Sequence, residues 1–227
     1  MALSVPSEIY KWTKPWPAKS KTAHVTAVIQ EQMQERELRV FHATRLLKYD
    51  EVRTNGLRLL SYPETVARLR EILTGPLAGL NLNLDQIISD ANLNSPLFGH
   101  REGRVWATPL RRYLHDGGCK VFFESWGGEA VERIATKASP ALARGIRSIG
   151  TPGVVVFRMP ALGFCEFGDL QLAPTMIELA LERDPTIDVI VGGWDVCCSS
   201  VIPAEWIEGV LPPNDPSLAH NDLDTAN

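Results

Sequence analysis

The stretch that most constrains the fold is a short apolar strand that ends in polar residues, Val40–Arg45 (VFHATR). The segment after it, Tyr49–Asn55, is predicted to form a short helix closed by an Asn-Gly turn. Loops held by a rigid scaffold carry many binding and catalytic groups, so polar side chains at a strand end are site candidates. The pattern therefore nominates His42, Thr44 and Arg45 for a functional site.

The remaining predicted elements do not alternate regularly between strand and helix. Strands are predicted over Leu38–Thr44, Leu57–Ser61, Arg104–Pro109, Cys119–Phe123, Gly153–Met159, Ile187–Val191 and Trp194–Cys198. Helices are predicted over Tyr49–Asn55, Pro63–Leu73, Leu84–Ala91, Leu110–Asp116, Glu129–Thr136 and Ala173–Arg183. This order argues against a doubly wound parallel sheet. It favours an α+β fold with a curved, mostly antiparallel sheet and helices packed on it.

The composition is that of a globular chain, with 44% apolar and 22% charged residues over 227 positions. The formal net charge of −4 offers no basic field for a nucleic-acid backbone. No apolar run reaches the roughly 20 residues that a membrane helix needs, and the N-terminus lacks the pattern of a secretory signal. The four cysteines show no metal-ligand spacing, which favours reduced thiols in a cytoplasmic protein without a metal site.

Three segments are predicted along the chain. Residues 1–37 form an N-terminal arm with a helix, residues 38–211 form the folded domain, and residues 212–227 form a polar, disordered tail. Several common site motifs are absent from the sequence, namely the phosphate-binding P-loop, the dinucleotide-binding glycine motif, the zinc-protease HExxH and the serine-hydrolase elbow. The candidates that remain are polar and aromatic residues near predicted strand ends.

Three short motifs occur in an order that resembles the ADP-ribosyltransferase superfamily, in its branch with a His–Tyr–acid triad. The first is FHAT at 41–44 with Gly56-Leu57, and the second is VWATPLRRY at 105–113. The third is WDVCC at 194–198 followed by VIPAEWI at 201–207. The branch includes poly-ADP-ribose polymerases, rifampin ADP-ribosyltransferases and, more distantly, RNA 2′-phosphotransferases. The resemblance covers roughly residues 38–211 and implies a split antiparallel sheet and NAD as substrate.

The resemblance also implies roles for individual residues. His42 would donate a hydrogen bond to a ribose hydroxyl of NAD with help from Thr44, and Tyr113 would stack on the nicotinamide ring. The backbone of Ala43, which replaces the usual glycine, would pair with the carboxamide. Arg45 would meet the pyrophosphate. Trp106 and Thr108 belong to the strand that leads to the tyrosine.

The catalytic carboxylate is open among three residues, namely Asp195, Glu124 and Glu129. Cleavage of the nicotinamide–ribose bond develops positive charge on the ribose, and a carboxylate near the 2′-hydroxyl stabilises that charge. Asp195 matches the position in the resemblance. Glu124 and Glu129 flank Trp126-Gly127-Gly128, a segment with no counterpart in the family motifs.

The expected function is transfer of ADP-ribose from NAD to an unknown macromolecular or small acceptor, or hydrolysis of NAD. The main alternative is a non-catalytic interaction protein on the same fold. An RNA 2′-phosphotransferase is disfavoured because that chemistry calls for a basic surface. A cysteine hydrolase that pairs Cys197 or Cys198 with His42 is a further alternative.

Overall fold

The computed structural model describes residues 37–91, 101–109, 111–115, 117–160 and 196–219. Among the predicted features, the N-terminal arm up to residue 36, the helix Ala173–Arg183, the strand Ile187–Val191 and Asp195 lie outside these residues. The chain has a mixed α+β fold with antiparallel sheets.

Within the described residues, five strands form two antiparallel sheets. The strands are β1 (Glu37–Leu46), β2 (Val105–Ala107), β3 (Thr151–Pro160), β4 (Val196–Cys198) and β5 (Ile207–Leu211). One sheet has the order β1-β3-β5 and the other pairs β2 with β4. Hydrogen bonds between Phe41 and Thr108 join β1 to the end of β2, so the two sheets meet at this point. The strands predicted over Leu38–Thr44 and Gly153–Met159 are confirmed.

The alternation of residues along β1 sends side chains to two different cores. Leu38 and Val40 belong to a core shared with β2, β3, β4 and β5, so the two sheets pack face to face. Phe41 and Ala43 belong to a second core on the opposite face of the three-stranded sheet. His42 shares the face of Leu38 and Val40, because side chains two positions apart lie on the same face of a strand.

Seven helices are described. They are α1 (Tyr49–Asn55), α2 (Tyr62–Thr74), α3 (Leu84–Ala91), α4 (Gly117–Glu124), α5 (Gly128–Ala138), α6 (Pro140–Ser148) and α7 (Pro216–Ala219). Short 3₁₀ turns lie at Ala78–Leu80, Arg111–His115 and Ala204–Trp206. The start of α6 illustrates how the sequence sets the first residue of a helix. The Ser139 hydroxyl accepts a hydrogen bond from the Leu142 N–H at 3.0 Å, and Pro140 occupies the first turn.

Helices α2, α3, α5 and α6 form a third core of their own. Its fully buried members include Leu69, Val131, Leu142 and Ile146. Helix α4, the 3₁₀ turn at 111–115 and α7 instead cover the Phe41 face of the three-stranded sheet. The sheet therefore has the two-stranded sheet on one face and helices on the other.

Three predicted elements are corrected by the structure. Cys119–Phe123 was expected to be a strand, but it lies in α4, because its apolar side chains Cys119, Phe122 and Phe123 have the helical spacing that lets them pack on the sheet together. Leu57–Ser61 contributes only a single bridge, from Leu57 to Ile202. The tail predicted to be disordered from residue 212 continues into α7, where the Leu218 side chain is buried in the Phe41 core.

No helix within the described ranges combines the length and apolar character needed to cross a membrane.

Candidate functional site

A cavity of about 320 Å³ opens where β1 ends, and its size falls in the range of small-molecule sites. Its walls come from the last residues of β1, from α1, from the segment 57–61, from α2, from residues 101–106 and from the start of α5. The cavity thus lies between the sheets and the separate helical core. Its lining is mostly apolar and carries several polar and charged side chains, a combination that makes it the candidate functional site.

His42 lies in this cavity and is held by the neighbouring sheet. Its Nδ1 lies 2.6 Å from the carbonyl oxygen of Trp106. A carbonyl only accepts, so Nδ1 carries the proton, and Nε2 of the neutral ring presents a lone pair. Burial lowers the pKa of His42 and outweighs the opposite effect of the hydrogen bond to Trp106. The neutral ring therefore accepts a hydrogen bond through Nε2, which reverses the donor role expected from sequence.

The lowered pKa of His42 predicts how stability depends on pH. Below about pH 6.5 the unfolded chain binds a proton at this histidine, whereas the folded chain resists it. The unfolded state then binds more protons, so the free energy of unfolding falls as pH falls, by up to about 1.4 kcal/mol per pH unit. A His42→Asn variant keeps an N–H for Trp106 but cannot titrate. We expect urea unfolding between pH 6.5 and 5.5 to show a smaller slope for this variant, and equal slopes would contradict the assignment.

The residues next to His42 divide between the cavity and the core. Thr44 shares its strand face and lines the cavity, and Trp106 lines it from β2. Ala43 also borders the cavity, although its side chain is buried in the core on the other face of the sheet. Thr108 is buried and its backbone pairs with Phe41, so it holds the junction of the two sheets.

Arg45 borders the cavity, but its guanidinium is bound to protein carbonyls. Its Nε donates to Ile149 at 2.6 Å, one terminal nitrogen donates to Phe123 at 2.8 Å and the other donates to Gly150 at 2.9 Å. The planar fork of donors thus joins the end of β1 to the end of α4 and to the turn before β3. This geometry gives Arg45 a structural role instead of the pyrophosphate contact expected from sequence.

Changes at Arg45 are expected to lower stability. Arg45→Lys cannot reach three carbonyls at once and should cost about 2 kcal/mol of the free energy of unfolding. Arg45→Met leaves all three carbonyls without this donor and should cost about 4 kcal/mol. Arg53→Met, at an exposed position of α1, should stay within about 0.5 kcal/mol of wild type. Urea unfolding measures all three, and a wild-type midpoint for Arg45→Met would refute the structural role.

Of the two candidate carboxylates that the structure describes, Glu129 lines the cavity and Glu124 does not. Glu129 lies in the first turn of α5, and its carboxylate is 3.3 Å from the Arg101 guanidinium. Glu124 ends α4 and forms an exposed pair with Lys120 at 3.6 Å. Asp195 lies outside the described residues. Glu129 and His42 thus line the same cavity.

Tyr113 lies away from this cavity. It belongs to the 3₁₀ turn Arg111–His115, whose Leu114 is buried in the core on the Phe41 face of the sheet. Among the described lining residues, the aromatic side chains are Trp106, Phe122 and Trp126, and Tyr113 is not one of them. Tyr113 and His42 therefore do not line the same cavity, since the turn that carries Tyr113 packs through Leu114 on the opposite face of β1.

The segment between α4 and α5 places Glu129 in the cavity wall. Gly127 and Gly128 adopt left-handed conformations, with φ of 77° and 60°. An added Cβ at Gly128 would lie 2.7 Å from the Phe122 ring, so both backbone conformation and space favour glycine here. The pair of glycines next to Trp126 was noted in the sequence, but only the fold shows that it turns the chain at the cavity.

A partly buried network of hydrogen bonds supports this turn. The hydroxyl of Ser125 donates to the Glu132 carboxylate, which also accepts from Arg147. Burial acts to raise the pKa of Glu132, but the hydrogen bonds from Ser125 and Arg147 and the charge of Arg147 outweigh it, so the pKa lies below its ordinary value. Glu132 thus stays ionised. Its hydrogen bonds link α5 to Arg147 of α6 and to Ser125, which directly follows α4. Glu132 lies about one helical turn beyond Glu129.

Comparison with protein-family models, with curated proteins and with solved structures gives no match to this chain. Across the described ranges, no group of three or more histidine, cysteine, aspartate or glutamate side chains is arranged to hold a metal ion. Cys197 and Cys198 are buried in β4, and neither lines the cavity.

Proposed function

We propose that the chain binds NAD in the cavity at the end of β1 and cleaves its nicotinamide–ribose bond, passing ADP-ribose to an acceptor or to water. One observation carries this proposal, namely that His42, Thr44 and Glu129 line the same cavity. The ordered sequence motifs around His42 supply the resemblance to ADP-ribosyltransferases. The antiparallel sheets that meet beside His42 are compatible with the split sheet of that superfamily.

The reaction assigns one role to each of the polar residues. The bond between ribose C1′ and the nicotinamide nitrogen breaks, and its electron pair returns to the ring, so nicotinamide leaves neutral. Glu129 stabilises the positive charge that develops on the ribose. An acceptor oxygen then forms the new bond to C1′ and loses its proton to Glu129 or to solvent.

His42 and Trp106 orient the substrate. The Nε2 lone pair of His42 accepts a hydrogen bond from a ribose hydroxyl, and Thr44 supplies a second polar contact. Trp106 takes the place expected for Tyr113 and packs against the nicotinamide ring. Its indole already has the Arg101 guanidinium over it, with 5.1 Å from the guanidinium carbon to the ring centre. A single ion pair, Arg101 with Glu129, thus links the aromatic contact to the carboxylate.

The proposal is tested by incubating the purified chain with NAD and separating the products. We expect nicotinamide to appear with time, together with free ADP-ribose where water is the acceptor. With NAD labelled in the adenine, label retained on a macromolecule would identify transfer. Absence of both nicotinamide release and NAD binding would refute the proposal. Binding of NAD without release would support the alternative of a non-catalytic interaction protein on this fold.

A further inference from the structure

The cavity lining is positively charged although the chain as a whole is negative. Among the lining residues that the structure describes, the charged side chains are five arginines and three glutamates, a surplus of two positive charges, whereas the whole chain carries −4. The neutral His42 adds no charge to this balance. A concave surface with a local surplus of one sign concentrates ligands of the other sign. The lining therefore favours an anionic ligand.

Two of these arginines, Arg58 and Arg68, form no ion pair or side-chain hydrogen bond with the rest of the described chain. Other arginines of the same region are engaged. Arg101 pairs with Glu129 at 3.3 Å, and Arg70, two residues beyond Arg68 on α2, pairs with Asp85 at 2.9 Å. Both side chains are exposed to solvent at the cavity, so their guanidinium donors are open to an anionic ligand.

Hydrogen bonds tie the segment that carries Arg58 and the start of the helix that carries Arg68 to one stretch of chain, residues 102–104. The segment that contains Arg58 is tied to residues 103–104 by hydrogen bonds from Leu60 N to Arg104 O and from Gly103 N to Leu60 O, at 3.0 and 2.8 Å. Helix α2, which carries Arg68, begins directly after this segment, and its Tyr62 N–H donates to Glu102 at 3.3 Å. Residues 102–104, which lead into β2, thus hold both the segment of Arg58 and the first residue of α2 beside the cavity.

We infer that Arg58 and Arg68 form a subsite for the diphosphate of a nucleotide bound in the cavity. Each guanidinium offers a planar pair of donors that matches two phosphate oxygens, and two such groups match two adjacent phosphates. This subsite replaces the phosphate contact expected of Arg45, whose donors are bound to carbonyls. The inference rests on the proposed NAD site, since it names the side chains that hold the part of NAD remote from the cleaved bond.

Calorimetric titration with ADP-ribose, ADP and adenosine tests the subsite without requiring turnover. Wild type should bind ADP and ADP-ribose at least about tenfold more tightly than adenosine, which lacks phosphate. Arg58→Gln and Arg68→Gln should each weaken ADP about tenfold and leave adenosine unchanged. Arg70→Gln is the matched control on the same helix, and its affinity for ADP should stay within about twofold of wild type.

Two results would overturn the subsite. One is equal affinity of wild type for ADP and adenosine, and the other is an equal loss of ADP affinity in Arg70→Gln and Arg68→Gln.

Failure of the subsite is distinguishable from failure of the proposed function. If Arg58→Gln and Arg68→Gln release nicotinamide with an unchanged KM for NAD, the subsite is refuted and the proposed function is retained. If ADP binds tightly through both arginines but the chain releases no nicotinamide from NAD, the proposed function is refuted and the subsite is retained.

Discussion

Replacement of Glu129 by Gln is expected to slow nicotinamide release from NAD by at least about 100-fold. The substitution keeps the size and hydrogen-bonding oxygen of the side chain but removes the negative charge that would stabilise the ribose cation. The fold should be preserved, because the Arg101 pair that is lost is partly exposed and such pairs contribute little to stability. The measurement is the rate of nicotinamide formation at saturating NAD, with thermal unfolding to check the fold.

Glu124→Gln provides the matched control. Glu124 lies five positions earlier, is half-exposed and pairs with Lys120 outside the cavity. Its substitution should leave the rate within about twofold of wild type, because a surface pair of this kind contributes little. If Glu129→Gln were as active as wild type while Asp195→Asn lost activity, the catalytic carboxylate would be Asp195. Wild-type rates in all three variants would rule out each of the carboxylates nominated by the sequence.

Gly56→Ala is expected to destabilise this fold about as strongly as Arg45→Met. Gly56 ends α1 with φ of 71° and ψ of −162°, a backbone conformation that is essentially restricted to glycine. An added Cβ would also lie 1.9 Å from the carbonyl oxygen of Ile202, a backbone atom that cannot rotate away. Together these effects should cost about 4 kcal/mol, or roughly 10 °C in melting temperature.

The matched control is Gly79→Ala, in the 3₁₀ turn Ala78–Leu80, where an added Cβ meets nothing within 4 Å. This variant should match wild type or gain about 0.5 kcal/mol, because alanine reduces the conformational entropy of the unfolded chain. Thermal and urea unfolding of both variants make the comparison. A Gly56→Ala protein with a wild-type melting temperature would show that the Leu57–Ile202 bridge can shift without cost.

The sequence predicted the elements whose patterns are local. The apolar run Gly153–Met159 could be recognised as a buried strand, and the helix Pro63–Leu73 had a proline near its start and an apolar face. Cys119–Phe123 was misassigned because a short apolar run is compatible with either a strand or a helix. The distinction depends on the sheet face that receives Phe122 and Phe123, which is set by residues distant in the chain.

The candidate site was predictable only in part for the same reason. The position of His42 follows from its strand, and Glu129 was among the nominated carboxylates. The separation of Tyr113 from the cavity depends on which side of β1 its turn covers, and no local pattern encodes that. The carbonyl partners of Arg45 come from residues 123, 149 and 150, so its structural role could not be read from its own neighbourhood.

The order of the central sheet has a consequence for how the protein is made. Strand β1 pairs along its whole length with β3. Phe41 pairs with Val156 and Leu46 pairs with Thr151, so both partners lie far along the chain. Strand β5 then completes the sheet from close to the end of the described chain. Pairing between such distant segments slows folding, because a long loop must close before its contacts form. During synthesis the apolar edge of β1 stays unpaired until β3 has emerged, so the histidine and its cavity are among the last features to assemble.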